Sequence, residues 1–131
     1  MDYISVKTGK RQELKDITPE IEQYLSENNL TGGLLNIYCP HTTAGITINE
    51  GADPSVAGDI LVSLEKLVPY KGDYRHAEGN SDAHIKTSLT GQSVLVIVEE
   101  GRPMLGTWQK IFFAEFDGPR SRKVWLKWIE E

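Results

Sequence analysis

A single cysteine, Cys39, excludes any disulfide within the chain and fits a reducing compartment. Its surroundings, LLNIYC, are apolar, which suits a buried and inert thiol. No apolar run approaches the roughly 20 residues that a membrane-spanning helix needs. The start, MDYISVKTGK, shows no charged stretch followed by an apolar one, so no secretory signal is read there. These absences lead to the expectation of a cytoplasmic protein with no membrane partner. Basic residues are the minority: 14 Lys and Arg against 19 Asp and Glu give a net charge of −5. A general nucleic-acid binder would show a basic patch instead, so no nucleic-acid partner is expected. A small anion held by a few local cations stays possible. Neither a Walker A loop nor a GxGxxG fingerprint is present, which removes the nucleotide P-loop and the dinucleotide fold. There is no internal repeat, low-complexity tract or linker.

What is there suits one domain. A chain of 131 residues hides roughly two thirds of its unfolded surface on folding, and 39% apolar with 25% charged residues is ordinary for a globular protein. YISVKT (3–8) alternates as a strand, and 12–17 gives a second one. Thr18-Pro19 reads as a helix start with Thr18 as the N-cap, the helix running to about Asn28. LLNIYC (34–39) and TTAGITIN (42–49) are strands rich in β-branched and apolar residues. Asp53-Pro54 opens a second helix, with Val56, Ile60, Leu64 and Leu67/Val68 at helical spacing until Pro69. Residues 70–83 read as a long polar loop, of the kind that often carries function. Strands are expected at 84–89, 93–100, 107–116 and 123–130, separated by turn residues. The order predicts an α+β, largely antiparallel, sheet-rich single domain with two helices on one side of the sheet. The late aromatic residues, Trp108 to Trp128, exceed what one sheet face needs and suggest a subunit interface.

All three histidines fall in two polar segments: His41 in CPHTTAG, and His76 and His84 at the ends of HAEGNSDAH. Three neutral imidazoles and one open position make a catalytic metal site. The spacing of His76 and His84 is neither i, i+4 nor a clamp, so their environment carries the case. Glu78, Asn80 and Asp82 lie between them and could fix imidazole tautomers. Glu50 suits a general acid or base, or a solvated position. Asp53 suits an N-cap. Glu115 and Asp117 would share one face of a strand end. A phosphate could be met by Asn80, Ser81, Lys86, Ser88, Arg102, Arg120 or Arg122. Arg120 follows the Asp117-Gly118-Pro119 turn, at a loop mouth, where a guanidinium can grip phosphate bidentately. Trp108, in GTWQ, suits the core better than a ligand platform.

Four blocks together carry a resemblance: PHTTAGITINE with Asp53-Pro54, YRH (74–76), EGNSDAH (78–84), and GTWQ followed by EFDGPR (115–120). In these the chain resembles the YjbQ-like family, described as secondary thiamine-phosphate synthases, over nearly its whole length. The resemblance implies an α+β fold assembling as a homotrimer. It implies a divalent metal, zinc above all, on His41, His76 and His84, with magnesium able to arrive on a diphosphate. It implies coupling of a hydroxymethylpyrimidine diphosphate to a thiazole phosphate, releasing pyrophosphate. In that scheme Glu50, Glu78 and Asp82 would serve catalysis, and Asn80, Lys86, Ser88 and Arg120 would hold the phosphorylated substrate. A metal-dependent hydrolase and a non-enzymatic trimeric ligand-binding protein are the alternatives.

Overall fold

The computed structural model describes residues Met1–Glu131. Five strands form one antiparallel sheet: β1 (Asp2–Lys7), β3 (Gly33–Tyr38), β5 (Ser93–Glu99), β6 (Arg102–Pro103) and β8 (Ser121–Glu130), in the order β1-β8-β3-β5-β6. A second sheet holds β2 (Glu13–Asp16), β7 (Gln109–Glu115) and β4 (Ala44–Glu50), with β7 central. The helices are α1 (Thr18–Glu27), α2 (Pro54–Leu67) and α3 (Ser81–Thr90).

The main core lies between the sheets. Val6, Leu35, Ile37, Val96, Val98, Val124 and Leu126 from the larger sheet meet Ile46, Ile111 and Phe113 from the smaller one, with Ile21 and Leu25 of α1 closing the end. A smaller cluster on the other face of the three-stranded sheet joins Ala114 and Phe116 to Ala83 of α3, with Leu14, Leu61 and Leu64 packed against it. β7 is therefore covered on both faces, and Ile111 through Phe116 are all buried. A strand buried on both faces loses its alternation and becomes a continuous apolar run, as IFFA does here. The outer face of the larger sheet is different: Tyr38, Leu95, Ile97, Trp125 and Ile129 are exposed on it.

The expected α+β, antiparallel architecture is present, with three corrections. Two sheets form where one was expected. Residues 84–89, expected as a strand, belong to the helix α3, so there are three helices rather than two. The buried face of α3 is Asp82, Ala83, Lys86 and Thr87, so no apolar stripe announces it in the sequence. Thr18 is not a cap: its hydroxyl accepts from the Ile111 N–H at 2.8 Å, and Asp16 accepts the Thr18 N–H at 2.9 Å instead. Asp53 does cap α2, accepting from the Ser55 N–H at 2.9 Å. No helix is long and apolar enough to cross a membrane.

Trp108 is 60% exposed rather than core, whereas Phe113 is fully buried. Truncating Phe113 to alanine is expected to cost about 3–5 kcal/mol through lost burial and a cavity. Trp108→Ala is expected to stay within about 0.5 kcal/mol. Urea unfolding of the two variants beside wild type reads the contrast.

Candidate functional site

Three chain segments meet at a pocket of ≈ 350 Å³ lined by Pro40, His41, Thr42, Thr43, Glu78, Asn80, His84, Asp117, Arg120 and Arg122. β3 delivers His41 just past its end, the first turn of α3 delivers Asn80 and His84, and the β7–β8 connection delivers Asp117 to Arg122. Apart from the Pro40 ring, every lining side chain is polar.

Its floor is a buried ion pair. Arg122 shares the phase of Val124 and Leu126 on β8, so its side chain points into the core. It finds Glu115 there, which follows Ile111 and Phe113 in phase on β7. Arg122 Nε donates to Glu115 Oε1 at 2.8 Å, and Arg122 Nη2 donates to Glu115 Oε2 and, at 2.9 Å, to Thr43 Oγ1. Thr8 Oγ1 donates to Glu115 Oε1 at 2.8 Å and the Asp117 N–H to Oε2 at 3.0 Å. Burial alone would raise the Glu115 carboxyl's pKa. The hydrogen bonds from Arg122, the Asp117 N–H and Thr8 outweigh burial and hold it below the ordinary value. With Nε and Nη2 of Arg122 so engaged, Nη1 is the donor left for a ligand.

Arg120 is 53% exposed; it donates through Nε to the Asp117 carbonyl at 2.8 Å and through Nη2 to the Asp117 carboxylate at 3.0 Å. Asn80 Nδ2 donates to the same carboxylate at 2.9 Å, which fixes the amide's orientation. Asn80 Oδ1 is thereby aimed with no partner although buried. A buried acceptor without a partner calls for a donor or a cation.

The imidazoles come together only in part. His76 and His84 meet edge to face with ring centroids 5.4 Å apart. Glu78 stands 3.8 Å from His76 Nε2. His41 shares the pocket with His84, but its Nε2 accepts the Lys123 N–H at 3.0 Å, leaving Nδ1. Burial, and then the charge of Arg122, lower the His41 pKa, so the ring is neutral near neutral pH, as a ligand must be. No group of three or more His, Cys, Asp or Glu is close enough to hold a metal ion. The donors suit a divalent ion in kind, while the three-histidine set is not closed within the single chain.

Other expected residues lie elsewhere. Glu50 is at the far end of β4 and accepts the N–H groups of Ala52 and Asp53, both at 2.8 Å, supporting the start of α2. Asp82 and Lys86 have fully buried side chains in contact with each other at 2.8 Å, so neither can meet a substrate. Ser88 is exposed and donates to the His84 carbonyl at 3.0 Å, away from the lining. Cys39 is buried, donates to the Ala44 carbonyl at 3.2 Å and has its pKa pushed up to about 11 by burial, as an inert thiol should. Sequence reasoning gave Thr43 no role. Arg122 had a signal, a charge in the core-facing phase of a strand.

The fold recurs in known proteins. The family described as "UPF0047 protein YjbQ-like" matches residues 2–131. UPF0047 protein MJ1081 of Methanocaldococcus jannaschii is 58% identical over 95% of this chain and 90% of its own length. YugU of Bacillus subtilis is 54% identical over 95% of both. A solved structure of a YjbQ/UPF0047 protein from Clostridium acetobutylicum superposes with a TM-score of 0.94 at 53% identity, covering 98% of this chain and 100% of the other. A conserved hypothetical protein from Thermus thermophilus superposes with 0.92 at 45% identity, over 98% and 100%. The chain belongs to the YjbQ-like UPF0047 family.

The depressed Glu115 pKa makes its stabilisation complete above the ordinary carboxyl range and lost as pH falls through the folded value. Thermal unfolding from pH 7 down to 3 is expected to show this loss, and Glu115→Gln to flatten that part of the profile. Arg122→Met, which strands the buried carboxylate, is expected to cost about 3–5 kcal/mol at pH 7.

Proposed function

We propose that the chain is a metal-dependent enzyme that takes a small phosphorylated substrate by its phosphate end in this pocket. The carrying observation is the lining: two arginines, two imidazoles, two threonine hydroxyls and an unpartnered amide oxygen, with the Glu78 and Asp117 carboxylates beside them and Pro40 as the one apolar side chain. Arg122 is oriented by Glu115 and Thr43 before any ligand arrives, so little reorganisation is needed as charge develops on a leaving group. Arg120 and the exposed Thr42 hydroxyl add donors from the rim.

His41 and His84, with His76 beside them, would hold the ion, and Asn80 Oδ1 would add an oxygen donor. Zinc suits the imidazoles, and magnesium suits a diphosphate. The ion's contribution would be Lewis-acid withdrawal of charge from phosphate oxygens. The reaction we assign is coupling of a hydroxymethylpyrimidine diphosphate to a thiazole phosphate. The thiazole nitrogen forms a C–N bond to the methylene carbon as its C–O bond breaks. Pyrophosphate leaves with the electron pair, and Arg122 and Arg120 receive the charge. Glu78, 76% exposed, stands beside His76 at the pocket mouth. The pocket's exposure to water favours a second reading, hydrolysis of a phosphorylated substrate with water as acceptor. We further propose a cytoplasmic homotrimer; the exposed Tyr38, Trp125, Leu95 and Ile97 supply the kind of apolar face that subunits cover.

Metal-loaded protein incubated with the pyrimidine diphosphate separates the readings. Pyrophosphate release that requires the thiazole phosphate is the expected outcome. Release without it identifies a hydrolase, and binding without turnover reduces the protein to a ligand carrier. Elemental analysis of wild type beside His76→Ala is expected to show stoichiometric metal lost in the variant. Wild type free of metal after metal-replete growth would sink the metal proposal.

A further inference from the structure

Three walls of the pocket come from separate segments: the N-cap and first turn of α3 with Asn80 and His84, the 69–79 loop with Glu78 and the neighbouring His76, and the Asp117–Arg120 turn. All three converge on one residue outside the pocket, Arg11. Its guanidinium grips Asp82 on α3 with both ends, Nη2 to Oδ1 at 3.0 Å and Nη1 to Oδ2 at 3.3 Å. The same guanidinium lies 3.4 Å over the Tyr70 ring, at the start of the loop. Its backbone carbonyl accepts the Gly118 N–H at 3.0 Å, in the turn between Asp117 and Arg120. A side chain at Gly118 would collide with the Lys10 carbonyl, so the turn lies directly on the Arg11 segment.

The ion network around Arg11 strengthens the junction. Lys86 Nζ donates to Asp82 at 2.8 Å and to Glu65 of α2 at 2.7 Å. The other oxygen of Glu65 accepts the Tyr70 N–H at 2.8 Å. Both ends of the loop that carries His76 are thus tied to one cluster. α3 buries a single apolar residue, Ala83, beside Asp82, Lys86 and Thr87. Its position therefore depends on these directional contacts more than on apolar packing.

We propose that Arg11 is a positioning residue that sets the pocket by clamping α3, the 69–79 loop and the Gly118 turn together. Arginine suits this role: its planar fork meets both carboxylate oxygens while its face stacks on Tyr70, whereas a lysine ammonium can sit over a ring, as Lys123 does over Tyr3, but cannot present a fork to both oxygens at the same time. The proposal rests on the phosphate-pocket reading for its binding effect alone; the His76–His84 ring contact tests it independently.

The test uses the full chain with Arg11→Lys and Tyr70→Leu, the latter removing the stack while leaving Asp82 paired. NMR of the histidine side chains and calorimetric binding of inorganic pyrophosphate are the readouts. In Arg11→Lys, the His76–His84 ring contact is expected to be lost and pyrophosphate affinity to fall roughly tenfold or more. His41, held from β8 by the Lys123 N–H, is expected to keep its signals. Tyr70→Leu is expected to shift His76 and leave His84 in place. If Arg11→Lys is folded with the ring contact intact, the clamp is overturned, and the same holds if Tyr70→Leu leaves His76 unmoved. If wild type binds no pyrophosphate, the phosphate-pocket reading fails, and the ring contact still decides the role of Arg11.

Discussion

A carboxylate and a guanidinium enclosed between two sheets set the terms for everything near them. Glu115 belongs to the three-stranded sheet and Arg122 to the five-stranded one. Burying either charge alone would be costly, so each holds the other's strand in register. Thr8, Thr43 and Asp117 complete the carboxylate and guanidinium contacts, and all lie where the chain turns from one sheet to the other. The pair is at once a joint between sheets and the floor of the pocket. Its charge also reaches His41, whose pKa is lowered first by burial and then by Arg122.

Around that floor the structure divides into two kinds of attachment. The sheets are fastened by apolar burial, with Phe113, Ile111, Leu35 and Leu126 fully enclosed. The pocket's other walls are fastened by ions and hydrogen bonds. Directional contacts place side chains accurately, at the cost of giving way together when one partner is lost. Apolar packing supplies the frame and the Arg11–Asp82–Lys86–Glu65 network supplies the placement of α3 upon it.

Much of the frame is legible along the chain. Alternating and apolar strands, the Asp53-Pro54 helix start and the enclosed Cys39 follow from local pattern. α3 does not, because its hidden face is Asp82, Ala83, Lys86 and Thr87: without an apolar stripe its start reads as loop and 84–89 as a strand. Asp82 and Lys86 illustrate the difficulty. Placed among histidines in a polar segment, they look like chemistry, yet they are a buried pair one helical turn apart. Glu50 looks similar but serves a helix start. His41, His84, Asn80, Glu78 and Arg120 do reach one pocket, because each lies at an element's end or in the loop leading to it.

The sequence by itself determined the fold class, the family, and most of the residues that gather at the pocket, because strand and helix periodicity and distinctive residue blocks are local properties. Only the tertiary structure decided which charged residues face a ligand and which face each other. That choice depends on partners more than 70 positions away, as for Arg11 with Asp82 or Arg122 with Thr43. A carboxylate that titrates in solvent and one that is locked inside an ion network are the same letter in the sequence; burial and the partner's geometry separate them.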